Sequence, residues 1–463
     1  MVKKVLLLSG VVLMWTITSA QDNSDAMFIK KIHDYALTDS KCHEWLRQLT
    51  TEAGQRLAGS QTYDVAELLA VEFMEEVGLE NIQKQACEVN VWKRGIRETA
   101  YIIDKKGLKK YLHVTSLGNT IGTGVEGLQA EVVEVKTLEE VDKMPDNALA
   151  GKIVFFNRPM DPTQLRTFNA YGGAVDQRGS GLVSAARKGA AAVLVRSMTL
   201  SQDDVPHSGS AVYRDGVKQI PAMGISTNDA DLLSELIKSI PNTEVFMRNT
   251  CYVDGKNTDH SIIGEIKGSE FPNKVIVVGG HLDAWDMGDG AHDDGSGCVQ
   301  ALEVLNTLKN LGYKPKHTIR CVMFANEENG LAGGRAYGDY AKNSKEEIHV
   351  AALESDAGGF IPKEFSFDAD ASVLEKYMKV VHPWFSLLEP YNLQYETGGS
   401  GADINPLKPT KALLIGLRPD SQRYFDFHHT TADTFKAVNK RELQMGAAAM
   451  TSLVYLIDKY GLE

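Results

Sequence analysis

The pattern of polar and apolar positions changes character along the chain. From about Ser24 to Leu79, the segments FIKKIHDYAL, CHEWLRQLTTEAG and TYDVAELLAVEFMEEVGL repeat apolar residues at helical spacing, and GQRLAGS interrupts them with turn-forming residues. From about Gly122 the texture becomes strand and helix in turn: LQAEVVEVKTL, GKIVFFN, SGLVSAARKGAAAVLVRS and QIPAMGISTNDADLLSELI. Such alternation predicts a small α/β unit. From Asn257 onward, VIVVGGH, TIRCVMFANEE, IHVAALESD and KALLIGLRPD are continuous apolar runs that lead into acidic residues. Runs without alternation predict strands buried on both faces of a mainly parallel sheet. CVQALEVLNTLKNLG places Val299, Leu302, Leu305 and Leu308 along one helical face, and ELQMGAAAMTSLVYLIDKY supplies a closing helix. The fold class expected is therefore α/β, with the middle unit inserted between an N-terminal helical segment and the main sheet.

Composition narrows this picture. At 463 residues the chain exceeds one ordinary core. Residues 1–20 combine Lys3 and Lys4 with the apolar run VLLLSGVVLMW and the small residues Thr18, Ser19 and Ala20, which is the pattern of a cleavable signal peptide and predicts a secreted or periplasmic protein. The remaining chain is read as 21–121 and 251–463 forming the main domain and 122–250 forming the insertion. Formal charge is −12, and −14 without the two leading lysines, which argues against nucleic acid and anionic membranes as partners. The five cysteines (Cys42, Cys87, Cys251, Cys298, Cys321) are odd in number and lack CxxC spacing; Cys298 and Cys321 lie in apolar runs and are expected to be buried thiols.

Candidate chemistry collects at strand ends, where open parallel sheets bind ligands. His281, the pair Glu327–Glu328 and Asp356 each follow an apolar run, and FHHTTADT adds His428 and His429. The stretch GGHLDAWDMGDGAHDDGSG, residues 279–297, holds five aspartates and two histidines without a lysine or arginine. Imidazoles and carboxylates without thiolate suit Zn²⁺ in a hydrolytic site, with Mn²⁺ or Co²⁺ as substitutes. Asp283 lies two residues beyond His281, on the same side of an extended chain, where its carboxylate is placed to accept the second ring N–H of His281.

Together, GHLDAWDMGDGAHDDGSG, ANEENGLAGGRAY, ALESDAGG and YFDFHHTTADT resemble the signature blocks of the M28 metallopeptidases in order and spacing. GKIVFFN, AARKGAAAVLVRS and IPAMGIS are similar to the protease-associated (PA) domain that one subgroup carries as an insertion. The resemblance implies a phosphorylase/hydrolase-type fold and two Zn²⁺ per chain. One ion is held by His281, Asp293 and Asp356, the other by Asp293, Glu328 and His429, and the Asp293–Asp294 peptide bond is cis. It implies that Glu327 is the general base, taking a proton from water and returning it to the departing amine. Either His428 or Tyr424 steadies the tetrahedral oxyanion. The loop GGSGADI lines the substrate pocket, with Ser400 facing substrate and Asp403 either receiving a substrate ammonium or capping a turn. Asp294 supports the bridging aspartate, His292 packs or lines the pocket, and Asp286 and Asp289 are read as solvated.

The implied activity is that of a secreted dizinc exopeptidase acting on short peptides or dipeptides with a free terminus, as an aminopeptidase, carboxypeptidase or dipeptidase, in a homodimer. Two other readings stand beside it. A transferrin-receptor-like binding protein shares the fold and the insertion but lacks a complete ligand set. A glutaminyl cyclase-type acyl transferase uses a single zinc. All five ligand positions and the base position are filled here.

Overall fold

The structure is a computed structural model and describes residues 24–103 and 106–462, so the expected signal peptide lies outside the described residues. The main sheet has eight strands. Phe271–His281 runs parallel to His317–Phe324 on one side and to Ile348–Ser355 on the other, and Leu413–Pro419 continues the parallel set. These are the four apolar runs expected to be doubly buried; every residue of His317–Phe324 is buried. The sheet is mixed at its margins. Tyr252–Ile266 adds antiparallel to His317–Phe324, and Pro362–Asp368 adds antiparallel to Leu413–Pro419.

Helix 24–38 and the helices Cys42–Gln48 and Gln61–Val77 occupy the N-terminal region, in accord with its apolar spacing. Helix Ser296–Asn310 departs from the expectation of one apolar face, because all residues from Ser296 to Leu308 are buried. The helix touches the sheet, helix Lys440–Tyr460 and helix Cys42–Gln48 at once. Its polar members are satisfied internally: Gln300 donates to the Leu443 carbonyl and accepts from Ser355, while Glu303 accepts from Asn306 and Thr307.

A second eight-stranded sheet is built from residues 99–248. Its parallel centre, Leu128–Val135, Ile153–Phe156, Ala192–Arg196 and Ala222–Ile225, matches the alternating pattern read from the chain. Sheet membership nevertheless begins ahead of residue 122. Thr99–Ile103 pairs with Glu244–Arg248 and with Lys109–Leu112, and Val114–Ser116 pairs with Ala222–Ile225. The chain leaves the main sheet along Glu80–Lys93 and returns along Tyr252–Ile266. These two strands pair antiparallel, with Lys93 opposite Tyr252. All five cysteines are buried free thiols. Among the described residues no helix is long and apolar enough to cross a membrane.

Candidate metal centre

Parallel strands carry the candidate residues to one edge. His281 ends strand Phe271–His281, Glu327 and Glu328 follow Phe324, and Asp356 follows Ser355. Asp293 comes from the loop after His281, and His429 from the turn after the short helix Tyr424–Phe427. They converge. His281 Nε2 lies 3.3 Å from Asp293 Oδ1 and 3.6 Å from Asp356 Oδ1. His429 Nε2 lies 3.2 Å from Asp293 Oδ2 and 3.1 Å from Glu328 Oε2. The two oxygens of Asp293 thus face two separate histidine–carboxylate pairs. His281, Asp293 and Glu328 also offer ligand atoms within 4.8 Å of one another, as do Asp293, His428 and His429. The Asp293–Asp294 peptide bond is cis, as the family resemblance implied.

The supporting bonds differ from the sequence reading at one point. His281 Nδ1 meets the backbone carbonyl of Asp283 at 2.9 Å, while the Asp283 carboxylate stands 3.8 Å away. A carbonyl only accepts, so it fixes a proton on Nδ1 and aims Nε2 at Asp293. The carboxylate instead accepts from the backbone N–H groups of Glu327 and Glu328, at 2.9 and 3.2 Å. The carbonyl takes the ring nitrogen expected to meet the carboxylate. Asp294 accepts from the N–H groups of His281 and Gly297, which holds the loop against the strand.

Two supporting residues escaped the sequence reading. Asp433, in TTADT, accepts from the backbone N–H groups of His292 and Asp293 at 2.7 and 3.0 Å, and burial pushes its carboxyl up to about 7. Arg56, in the segment read only as a turn, is fully buried and donates to the carbonyls of Leu282, Asp289 and Gly290. It ties down both ends of the acidic loop. The signal for each was a charged residue in an otherwise turn-like stretch, and their partners are backbone groups far away in sequence.

The cage is strongly polarised. Burial would lower His281, but Asp293 and Asp356 outweigh it and raise its pKa. Burial would raise Asp293, yet His281 and His429 hold it well below the carboxylate range. Burial, with Asp356 and Glu328 beside it, pushes Glu327 well above that range, and burial next to Asp293 pushes Glu328 up to about 7. Glu328 Oε1 is buried without a hydrogen-bond partner. Buried carboxylates lacking a lysine or arginine partner, with imidazole nitrogens and no thiolate, form a donor set that fits zinc.

The remaining predicted residues divide. His428 stacks on His429 at 3.5 Å and brings Nε2 to 3.8 Å from Asp293 Oδ2. Tyr424 is buried beside Phe168 and Phe425. Ser400 and Asp403 are buried with no hydrogen-bond partner for the hydroxyl or for either carboxylate oxygen, so Asp403 does not cap a turn. His292 packs flat on Phe360 at 4.2 Å. Asp286 is only partly solvated: Arg94 clasps it with two N–H groups at 2.9 and 2.5 Å, turning the acidic loop toward the strand that leaves the main sheet. Asp289 accepts from the Phe435 N–H at 3.3 Å.

The middle segment reaches the cage. Arg178 is buried with Nη1 3.3 Å from His429 Nδ1, and its Nη2 donates to the Tyr171 hydroxyl. Ser208 N–H donates to the His429 carbonyl, and Ser210 Oγ donates to the Glu328 carbonyl. Strand periodicity carries no information about which loop of one sheet meets another.

Comparison with known proteins adds to the geometry. The model of peptidase family M28 matches residues 261–454. Carboxypeptidase Q of Homo sapiens is 32% identical, over 91% of this chain and 86% of that protein. Carboxypeptidase Q of Xenopus laevis is 32% identical, over 95% of this chain and 90% of that protein. A crystal structure of an M28 peptidase precursor from Shewanella amazonensis superposes with a TM-score of 0.88 at 30% identity, covering 94% of this chain and 97% of that one. A zinc aminopeptidase from Bacillus subtilis shares the fold, with a TM-score of 0.64 at 19% identity over 90% of this chain and 95% of that one.

Proposed function

The chain belongs to peptidase family M28, and from that premise we propose that it is a secreted or periplasmic dizinc exopeptidase that hydrolyses short peptides, dipeptides among them, carrying a free terminus. The observation that carries this reading is the division of Asp293, whose two oxygens face His281 and His429 separately. One ion is assigned to His281, Asp293 and Asp356, the other to Asp293, Glu328 and His429. Mn²⁺ or Co²⁺ would fit the same donors. Relatives named carboxypeptidase Q and a neighbour named as a zinc aminopeptidase agree with an exopeptidase using zinc. Residues 94–251 are assigned to a single inserted unit of the PA type, which follows the pairing of Lys93 with Tyr252.

Bound in this cage, zinc supplies Lewis acidity that polarises the scissile carbonyl and acidifies water. The chain's own part is proton handling and orientation. Glu327, half-buried beside the cage, takes a proton from the attacking water and delivers it to the departing amine. Asp283 positions it by gripping its backbone N–H and that of the adjacent ligand Glu328. His428, which borders the cage, is preferred to Tyr424 as the group that steadies the oxyanion. Asp403 and Ser400 stay assigned to the substrate pocket, and Arg178 adds a guanidinium, a fit for a substrate carboxylate.

The test has two arms. Metal analysis of protein purified without chelator is expected to give two zinc ions per chain, and fewer than two would overturn the dizinc reading. Unblocked, N-acetylated and C-amidated di- and tripeptides are then assayed with added Zn²⁺. Cleavage of at least one unblocked dipeptide is expected, and a panel in which no unblocked peptide is cleaved would overturn the exopeptidase reading.

A further inference from the structure

The two halves of the cage are supported by different parts of the molecule. His281 and Asp356 are held by the main sheet and its loop: His281 by the Asp283 carbonyl, by Asp294 and by Cys298 Sγ, which donates to its carbonyl, and Asp356 by its place directly after a buried strand. The other half is gripped from the second sheet. Ser208 N–H donates to the His429 carbonyl at 3.0 Å, and Ser210 Oγ donates to the Glu328 carbonyl at 2.7 Å. Asn119 Nδ2 donates to the Asn329 carbonyl at 3.4 Å, one residue on from Glu328.

This grip falls on strained backbone. His429 has φ +60°, a left-handed conformation that a non-glycine residue keeps only where its surroundings impose it. Gly209 lies between the two gripping residues at φ +114°, where a Cβ would come 2.6 Å from His429 Nδ1 and would also strike Arg178 Nη1. Only glycine permits that approach. The loop is itself anchored, because Gly118 N–H donates to the Gly209 carbonyl and Ala211 N–H donates to the Gly118 carbonyl. Gly118 in turn lies under the ring of Trp285, which meets His429 edge-on at 5.7 Å.

Resting on the dizinc reading, we infer that the loop Ser208–Ser210 is an interdomain latch that sets the affinity of one metal position only, the one formed by Glu328, His429 and Oδ2 of Asp293. Ser210 and Gly209 are positioning residues in this scheme. Ser210 acts through the Glu328 carbonyl and Gly209 through its close approach to the His429 ring, and neither touches metal or substrate. A consequence is sequential loading: the His281–Asp356 position fills first, and the second fills when the two sheets are in contact.

The experiment titrates the metal-free full chain with Zn²⁺ and, separately, with Co²⁺, for the wild type and for S210A, S210T and G209A. Loss of a hydrogen bond supporting a metal ligand typically lowers affinity about 10–100-fold. S210A is expected to weaken one of two equivalents by about tenfold and to leave the other unchanged, and S210T is expected to restore it. G209A is expected to weaken the same equivalent further. The single cobalt ion retained by S210A should give the d–d spectrum of H429A and not that of D356A. Equal weakening of both equivalents, an unchanged titration, or a retained spectrum matching D356A would overturn the latch. A wild-type chain that takes up only one ion would overturn the dizinc reading, and the latch with it. Circular dichroism and thermal unfolding of metal-free S210A and S210T, expected to match the wild type, separate the latch from a folding defect; an S210A chain that unfolds early without metal would overturn a role confined to one position.

Discussion

Asp283 sends its carbonyl to His281 and its carboxylate to the N–H groups of Glu327 and Glu328, so one residue orients two proposed metal ligands and the proposed base. D283A removes the carboxylate and leaves two N–H groups without their acceptor. It is expected to lower kcat about 10–100-fold and to loosen zinc, both read by titrating metal into the variant and following turnover. E327Q differs in kind: turnover should fall about 10²–10⁴-fold, while metal content measured on the same preparation stays at the wild-type value. His281, Glu328 and Asp356 were visible as residue types at strand ends, His429 stood out in a further loop, and Asp293 was singled out only by the family resemblance. Asp433 and Arg56 were not, because each acts on backbone groups brought near only by folding, and no side-chain pattern marks such a partner. Asp286 misled for a related reason: its counter-ion Arg94 lies far away in sequence.

Strands of the parallel centre were legible because burial on both faces removes alternation and leaves a plain apolar run. The helix Ser296–Asn310 was legible as a helix but not as a fully buried one, since Gln300 and Glu303 look like solvent residues until their internal partners are known. Strand Glu80–Lys93 was missed. Most of its residues are exposed or half-exposed, and it gains its partner only from Tyr252–Ile266, far along the chain. Gly118 offers a test of how tightly the segment before the latch packs. A Cβ there would enter the Trp285 ring, so G118A is expected to destabilise the fold by about 1–3 kcal/mol, measurable as a lowered urea midpoint. The same variant should shift Trp285 fluorescence.

For the molecule as a whole, chelation should expose the cost of a cage whose carboxylates lack cations. Removing metal is expected to abolish turnover and lower the thermal midpoint, and zinc at 100 times its dissociation constant should restore about 2.7 kcal/mol for each site filled, as read by calorimetry. Acid should act through buried neutral histidines. Burial holds His33 at about 4, and burial together with Arg320 holds His349 at about 4, against roughly 6.5 when unfolded. The unfolded chain therefore binds more protons between those values, and stability should fall as pH drops from about 6.5 to about 4. H33F, which keeps a ring stacked on Tyr391, should flatten that slope in urea titrations across pH. The last consequence concerns the ribbon where Lys93 faces Tyr252. In polymer terms the whole excursion between them is a closed loop whose ends meet, and closing it costs only the logarithm of its length, about 4–5 kcal/mol. That length-dependent cost falls if the excursion is replaced by a tight turn, which would convert the ribbon into an ordinary hairpin. On the dizinc reading, the shortened chain is expected to bind its second ion more weakly than its parent, as read by zinc titration of the two chains.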